Sequence, residues 1–323
     1  MLAAFYRSNQ PVVLFSLPVL AAALFAPAFW GAAPLAEGVM PMAGLVQRFL
    51  VGAPWQSAAG GLLLLVIAQL QLVALINDLE LMDRRNHLVA FFFPVALAGL
   101  GPKGLYDPAL LGLPFVLWSL RRAWGIANTG AALQPLFDAG LLAGLSALCY
   151  LPYAVVVVVI WASVSVIRPF AWREYVLPLL GCALLFYLAW GIQRLTGSAA
   201  WLPLRSVMAA DAHPALLWRG AAQKAFTLLL VLVLLIALAA FNASFARSVM
   251  RGKNLRSAFM ALALAMAILM ALLQLLKGSF PAVLAALPAA VIASYAFLQP
   301  RRGWLAESGA LALLGLALWL RWT

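Results

Sequence analysis

Of 323 residues, 66% are apolar and 9% are charged, whereas soluble domains carry about 25% charged residues, so this chain cannot clothe an ordinary globular surface. The net charge of +12 does not point to nucleic acid, because the 21 basic residues stand singly or in pairs between apolar blocks and form no basic patch with interleaved aromatics. Two cysteines without a CxxC spacing and two distant histidines, His87 and His213, give no support to a zinc or disulfide framework, and nothing in the residues implies a cofactor.

The apolar residues fall into blocks of roughly 12 to 22, unlike the alternating strands of about 10 residues in an outer-membrane barrel, so helices are the way this backbone is satisfied in lipid. In chain order the blocks lie at about 11–30, 58–76, 88–100, 109–120, 138–151, 153–167, 176–195, 225–244, 258–276, 282–298 and 305–320. They predict an all-α, polytopic integral membrane helical bundle of about 11 transmembrane segments, within a range of about 9 to 12. The first block is longer than a signal-peptide core and is interrupted by Pro18 and Pro27, so it reads as a retained span. Blocks 88–100 and 109–120 fall short of the roughly 20 residues a straight span needs. They must extend into flanking turns, stay buried in protein, or form a re-entrant pair.

Pro152 favours a break between 138–151 and 153–167. With that break and a cytoplasmic N-terminus, 13 of the 21 basic residues fall on the cytoplasmic side and 8 outside, whereas an unbroken helix gives 11 to 10 and no bias. Three regions follow: a seven-segment membrane module (1–200), an interfacial extracytoplasmic loop (201–224) and a four-segment membrane region (225–323). Trp30, Trp55, Trp118, Trp124, Trp161, Trp172, Trp201, Trp218, Trp304 and Trp322 mostly sit near block ends, as an aromatic belt does.

The most polar run is 77–87, where Glu80 and Arg84 would share a face if the segment were helical. It reads first as a cytoplasmic elbow whose charges neutralise one another, and second as a contact for a cytosolic partner or nucleotide. Asp138 stands before Gly140 and Gly144, and reads as a helix cap beside a close-packing glycine pair. The string Arg168-Pro169-Phe170-Ala171-Trp172-Arg173-Glu174-Tyr175 sets Arg168 and Arg173 against lipid phosphates, or against a specific phosphate-bearing ligand. On the opposite side stand Glu37, Asp107, and a loop carrying Arg205, Asp211, His213, Trp218 and Arg219. One acid with such a basic, aromatic loop is the minimum for deprotonating an acceptor and holding a lipid-linked phosphate. Gln69, Gln71, Asn242 and Gln274 lie within spans and read as links between helices. The predicted span centres hold no ionisable group, which argues against an ion-coupled transporter.

Ser8-Asn9-Gln10-Pro11, the 77–87 run, Phe137-Asp138-Ala139-Gly140, Tyr150-Leu151-Pro152 and 168–174 together resemble an uncharacterised polytopic inner-membrane protein family of Bacteroidota, over roughly the first 200 residues. That resemblance implies a bacterial inner (cytoplasmic) membrane location and no particular activity. More remotely, the long extracytoplasmic loops after the first and seventh segments resemble the GT-C superfamily of polyprenyl-phosphate-dependent glycosyltransferases. The likeness implies transfer of a polyprenyl-phosphate-linked sugar at the periplasmic face, with a GT-C-like N-terminal module. Glu37 would be the catalytic base, and Arg205, Asp211, His213 and Arg219 would bind substrate. The first loop has little room for the two juxtamembrane helices usual in those enzymes. A non-catalytic scaffold or assembly subunit with membrane-protein partners is the alternative, and a lipid or solute transporter is third.

Overall fold

An apolar stretch in a bilayer must satisfy every backbone N–H and C=O within itself, and the chain does so by turning each apolar block into a helix. The architecture is that of a computed structural model, which describes residues 2–8, 10–30, 40–50, 54–101, 105–128, 132–196, 207, 214–298 and 303–323. Among them are thirteen α-helices: α1 Leu2–Arg7, α2 Val12–Phe25, α3 Pro41–Leu50, α4 Pro54–Asp78, α5 Leu88–Leu100, α6 Pro108–Gly125, α7 Leu133–Cys149, α8 Val156–Ile167, α9 Trp172–Thr196, α10 Ala221–Arg247, α11 Met250–Lys277, α12 Ala282–Leu298 and α13 Gly303–Trp322. Each predicted apolar block corresponds to one helix, while α1 and α3 are additional. Six helical segments are long and apolar enough to cross a membrane: Val12–Phe29, Trp55–Asp78, Trp172–Thr196, Ala221–Arg247, Met250–Lys277 and Gly303–Trp322. The others are shorter or less apolar, and the structure shows how they are accommodated.

The break at Pro152 is real. α7 ends at Cys149, Tyr150 is extended, and a 3-10 turn over Leu151–Val155 leads into α8. Tyr153 donates to the Ala109 carbonyl at the start of α6 (2.8 Å), and the Trp124 indole at its end donates to Ser163 of α8 (2.9 Å). α6 and α8 therefore run the same way. Ser119 donates to the Ala139 carbonyl (2.7 Å), which sets α7 antiparallel to α6. Trp124 is fully buried, so it is a strut between helices and not part of an aromatic belt. Trp161 also turns inward, donating to the Tyr175 carbonyl (2.7 Å).

Asp138 lies inside α7, five residues past its first residue, and does not cap it; Ala132 occupies the cap position without a side-chain bond. The glycine pair behind it packs as expected. A Cβ on Gly140 would lie 2.2 Å from the Pro178 carbonyl oxygen, and one on Gly181 would lie 2.6 Å from that of Phe137, so α7 and α9 touch backbone to backbone.

At the centre stands α5, all 13 of whose residues are buried. It is surrounded by α2, α4, α10, α12 and α13, so helices from both halves of the chain share one core. Gln69 of α4 ties to it by donating to the Ala90 carbonyl (2.8 Å). Helix ends gather on two faces. On the first, the His87 amide donates to the Tyr6 carbonyl (2.9 Å), Glu307 accepts from the Ala3 and Ala4 amides (3.0 and 2.9 Å), and Tyr295 donates to the Leu81 carbonyl (2.8 Å). On the second, the Leu216 amide donates to the Leu100 carbonyl (2.6 Å), Trp322 donates to the Ala23 carbonyl (3.3 Å), and Tyr106 donates to the Ala43 carbonyl (3.4 Å). Arg321 lies buried near this second face, over the Phe25 ring (4.3 Å) and bonded to the Leu97 carbonyl (3.3 Å).

The α7–α9 seam yields a direct expectation. Gly140→Ala drives a methyl group into the α9 backbone and lowers stability by about 2 kcal/mol or more. Gly191→Ala, on α9 with nothing within 4 Å of the new carbon, raises stability by up to about 1 kcal/mol through helix propensity. Thermal unfolding in detergent measures both, and equal effects would remove the seam from the account.

Candidate functional site

The first face is where charge concentrates. α4 ends at Asp78, and the chain returns to α5 through a non-helical elbow over 79–87. Asn77 and Asn86 close this elbow reciprocally: the Asn77 amide donates to the Asn86 carbonyl (3.2 Å) and accepts from its N–H (3.1 Å). Asn86 Oδ1 then accepts from the Leu88 amide, the first of α5 (3.1 Å). Because the elbow is not helical, Glu80 and Arg84 do not form the expected i,i+4 pair. Instead Asp78, the last residue of α4, pairs with Arg121 of α6, and Asp83 of the elbow pairs with Arg256 of α11 (2.7 Å).

Glu80 carries a left-handed backbone (φ 53°), the one non-glycine residue among those described with positive φ. The Leu81 amide bonds back to the Ile76 carbonyl (3.0 Å), the helix-ending arrangement in which glycine normally takes the left-handed position. At the end of α11 the chain uses Gly278 (φ 71°) in that way. A side chain there costs on the order of 1–2 kcal/mol, so the glutamate sits there against local preference.

Facing the elbow is the turn between α10 and α11. The two enclose a cleft of about 560 Å³ lined by Glu80, Asp83, Arg84, Arg85, Arg247, Ser248, Arg251, Gly252 and Arg256, over an apolar floor that includes Ile76, Leu79, Met82 and Leu255. Five arginines meet two carboxylates there. Arg256 is 3% exposed and Asp83 is 49% exposed. The Arg256 guanidinium also donates to the Leu81 carbonyl (3.0 Å) and to Ser248 Oγ, and Ser244 donates to Asp83 Oδ2 (2.7 Å). Burial raises the Asp83 pKa, but the Ser244 hydroxyl and the Arg256 and Arg247 charges outweigh it and hold the carboxyl below its ordinary range.

Glu37, Arg205, Asp211 and His213 lie outside the described residues. Arg219 is exposed on the second face just before α10. Asp107, buried on that face, accepts from the Ala109 amide (2.8 Å) and caps α6. Arg168 stands 3.7 Å from Glu174 at the α8–α9 turn, and Arg173 lies over the Trp172 ring (5.8 Å); neither lines the cleft. No group of three metal-ligating side chains occurs among the described residues. The sequence reading missed the partner half of the cleft. Its signal was the segment 247–256, where Arg247, Arg251, Lys253 and Arg256 make the densest basic run in the chain.

No protein-family model, curated protein or solved structure matches the chain.

The pair at the base of the cleft is asymmetric, and so are the expected losses. Removing Asp83 strands a buried guanidinium, so Asp83→Ala costs about 3 kcal/mol. Arg256→Met costs less, because the half-exposed carboxylate left behind keeps Ser244 and water. Since the folded pKa of Asp83 is depressed, its contribution is complete above the ordinary carboxylate pKa and lost as pH falls through the lower folded value. Melting temperature followed into the acid range should show this limb in the parent chain and not in Asp83→Ala.

Proposed function

We propose that the chain is a bacterial inner-membrane protein in which all eleven apolar helices cross the bilayer. Its N-terminus and arginine cleft lie on the cytoplasmic side, where it works as a docking subunit for an anionic group. The cleft carries this reading: cations from three chain segments (84–85, 247 and 251–256) converge there on a cavity. The alternation of helix ends between two faces supports eleven crossings, including those too short to span unaided. The excess of basic residues on the first face supports its cytoplasmic placement. α3, an amphipathic helix laid on α4 and α7, belongs to the second face and would sit at the periplasmic interface.

That same helix favours a second reading. It lies in the first extracytoplasmic loop, where a GT-C-like enzyme keeps its catalytic carboxylate and its juxtamembrane helices. In this reading Glu37 is the base, Arg205 and Arg219 hold a polyprenyl phosphate, and the purified chain transfers sugar from a polyprenyl-phosphate donor. Glu37→Gln then abolishes transfer at unchanged expression; absence of transfer in the parent chain ends this reading and leaves the docking subunit.

Orientation is tested with single cysteines in a chain lacking Cys149 and Cys182. Arg85→Cys should react with a membrane-impermeant maleimide only in inverted vesicles, and Trp218→Cys should react in intact spheroplasts. The reverse pattern would place the cleft outside and defeat the proposal.

A further inference from the structure

We infer that the cleft between the 79–87 elbow and the α10–α11 turn is a binding site for a phosphate-bearing group, an inference that rests on and deepens the docking role proposed above. Its volume of about 560 Å³ suits a headgroup or a small phosphorylated molecule, since such sites span roughly 300–1,000 Å³. Among the described residues every cation lining it is arginine. A guanidinium offers a planar fork of donors that matches two phosphate oxygens, which an ammonium does not.

The arginines divide the work. Arg256 is buried and engaged by Asp83, Ser248 and the Leu81 carbonyl, so it builds the floor. Arg84, Arg85, Arg247 and Arg251 are exposed along the walls, where an incoming anion meets them. The backbone adds a second attraction. α11 is 28 residues long, it starts in the cleft, and Val249 at its cap position supplies no side-chain acceptor. First-turn residues Arg251 and Gly252 line the cavity, so first-turn N–H groups and the positive end of the helix dipole lie beside it. Of the two carboxylates, Asp83 is occupied by Arg256 and Ser244. Glu80, held in its strained left-handed conformation at the rim, opposes the ligand and tunes its hold. An acidic peptide is the competing occupant. Four guanidiniums around one helix terminus suit a compact multiply charged group better than carboxylates spread along a chain.

The full chain, purified in maltoside, is titrated at constant ionic strength with inorganic pyrophosphate. In a second arm it is titrated with dihexanoyl phosphatidylglycerol, against dihexanoylglycerol as the phosphate-free control. A saturable rise in melting temperature with either phosphate probe is expected. Pyrophosphate alone identifies a soluble ligand, the lipid alone a headgroup, and both support the site. Arg247→Gln and Arg251→Gln should each weaken binding by about tenfold, and Glu80→Gln should strengthen it. Arg122→Gln, on the same face but outside the cleft, should leave it unchanged. The inference fails if neither probe saturates, or if Arg122→Gln weakens binding as much as Arg251→Gln does. It fails equally if hexaglutamate saturates with the same arginine dependence while the phosphates do not. Membrane orientation plays no part in this assay, so its failure is separate from failure of the topology.

Discussion

Everything in this bundle depends on burying a helix that is too short for the membrane. α5 has 13 residues, about 20 Å of helix against a hydrocarbon core of roughly 30 Å. Exposed to lipid, its ends would leave unsatisfied backbone groups at hydrocarbon depth. Enclosed by α2, α4, α10, α12 and α13, it meets protein on every side, and the requirement for length passes to its jacket. Four of those neighbours, α2 with the 3-10 turn that extends it to Phe29, α4, α10 and α13, are among the segments long enough to cross. The ends of α5 then become tie points. His87 and Asn86 hold one end, and the Gly99 and Leu100 carbonyls at the other accept from Gln223 and the Leu216 amide.

Charge placement follows from the same constraint. With hydrocarbon around and an apolar core within, ionic groups are confined to the two ends, where they fasten one element to another. Glu307 receives the first amides of α1, Asp78 reaches α6, and Arg256 bonds the elbow to α11. Along the spans the cohesion is steric. Gly140, Gly144 and Gly181 let two backbones meet, which in lipid does what apolar burial does in water.

Helix identity was legible almost throughout, because an apolar block bounded by arginines and prolines has one solution in a bilayer. The Pro152 break was legible for the same local reason. What sequence could not supply was any relation between distant segments. The 77–87 run looked self-neutralising because Glu80, Asp83, Arg84 and Arg85 are neighbours in the chain. The structure turns its acids toward Arg121 and Arg256, 43 and 173 residues away. Asp138 failed as a cap because α7 begins earlier, at Leu133, on a turn with no cap signal. Trp124 looked like an interfacial ring because it sits at a block end, yet α8 comes back over it. Arg321, at the end of α13, is likewise covered, by the Phe25 ring.

The elbow carries a cost that a simple turn would avoid. Glycine at position 80 would relieve the left-handed backbone, and lipid-facing helices need no such charge density between α4 and α5. Asp83 pairs with Arg256 and is stabilised by the Arg247 charge as well, so the closure of the fold draws on two of the five cleft arginines. Arg84, Arg85 and Arg251 add further like charge beside a low-dielectric slab, where repulsion is less screened than in open water. A counter-anion seated among them removes that repulsion and gains the α11 terminus as well. The same charges that repel one another across this face therefore become favourable once a multiply charged anion occupies the cleft.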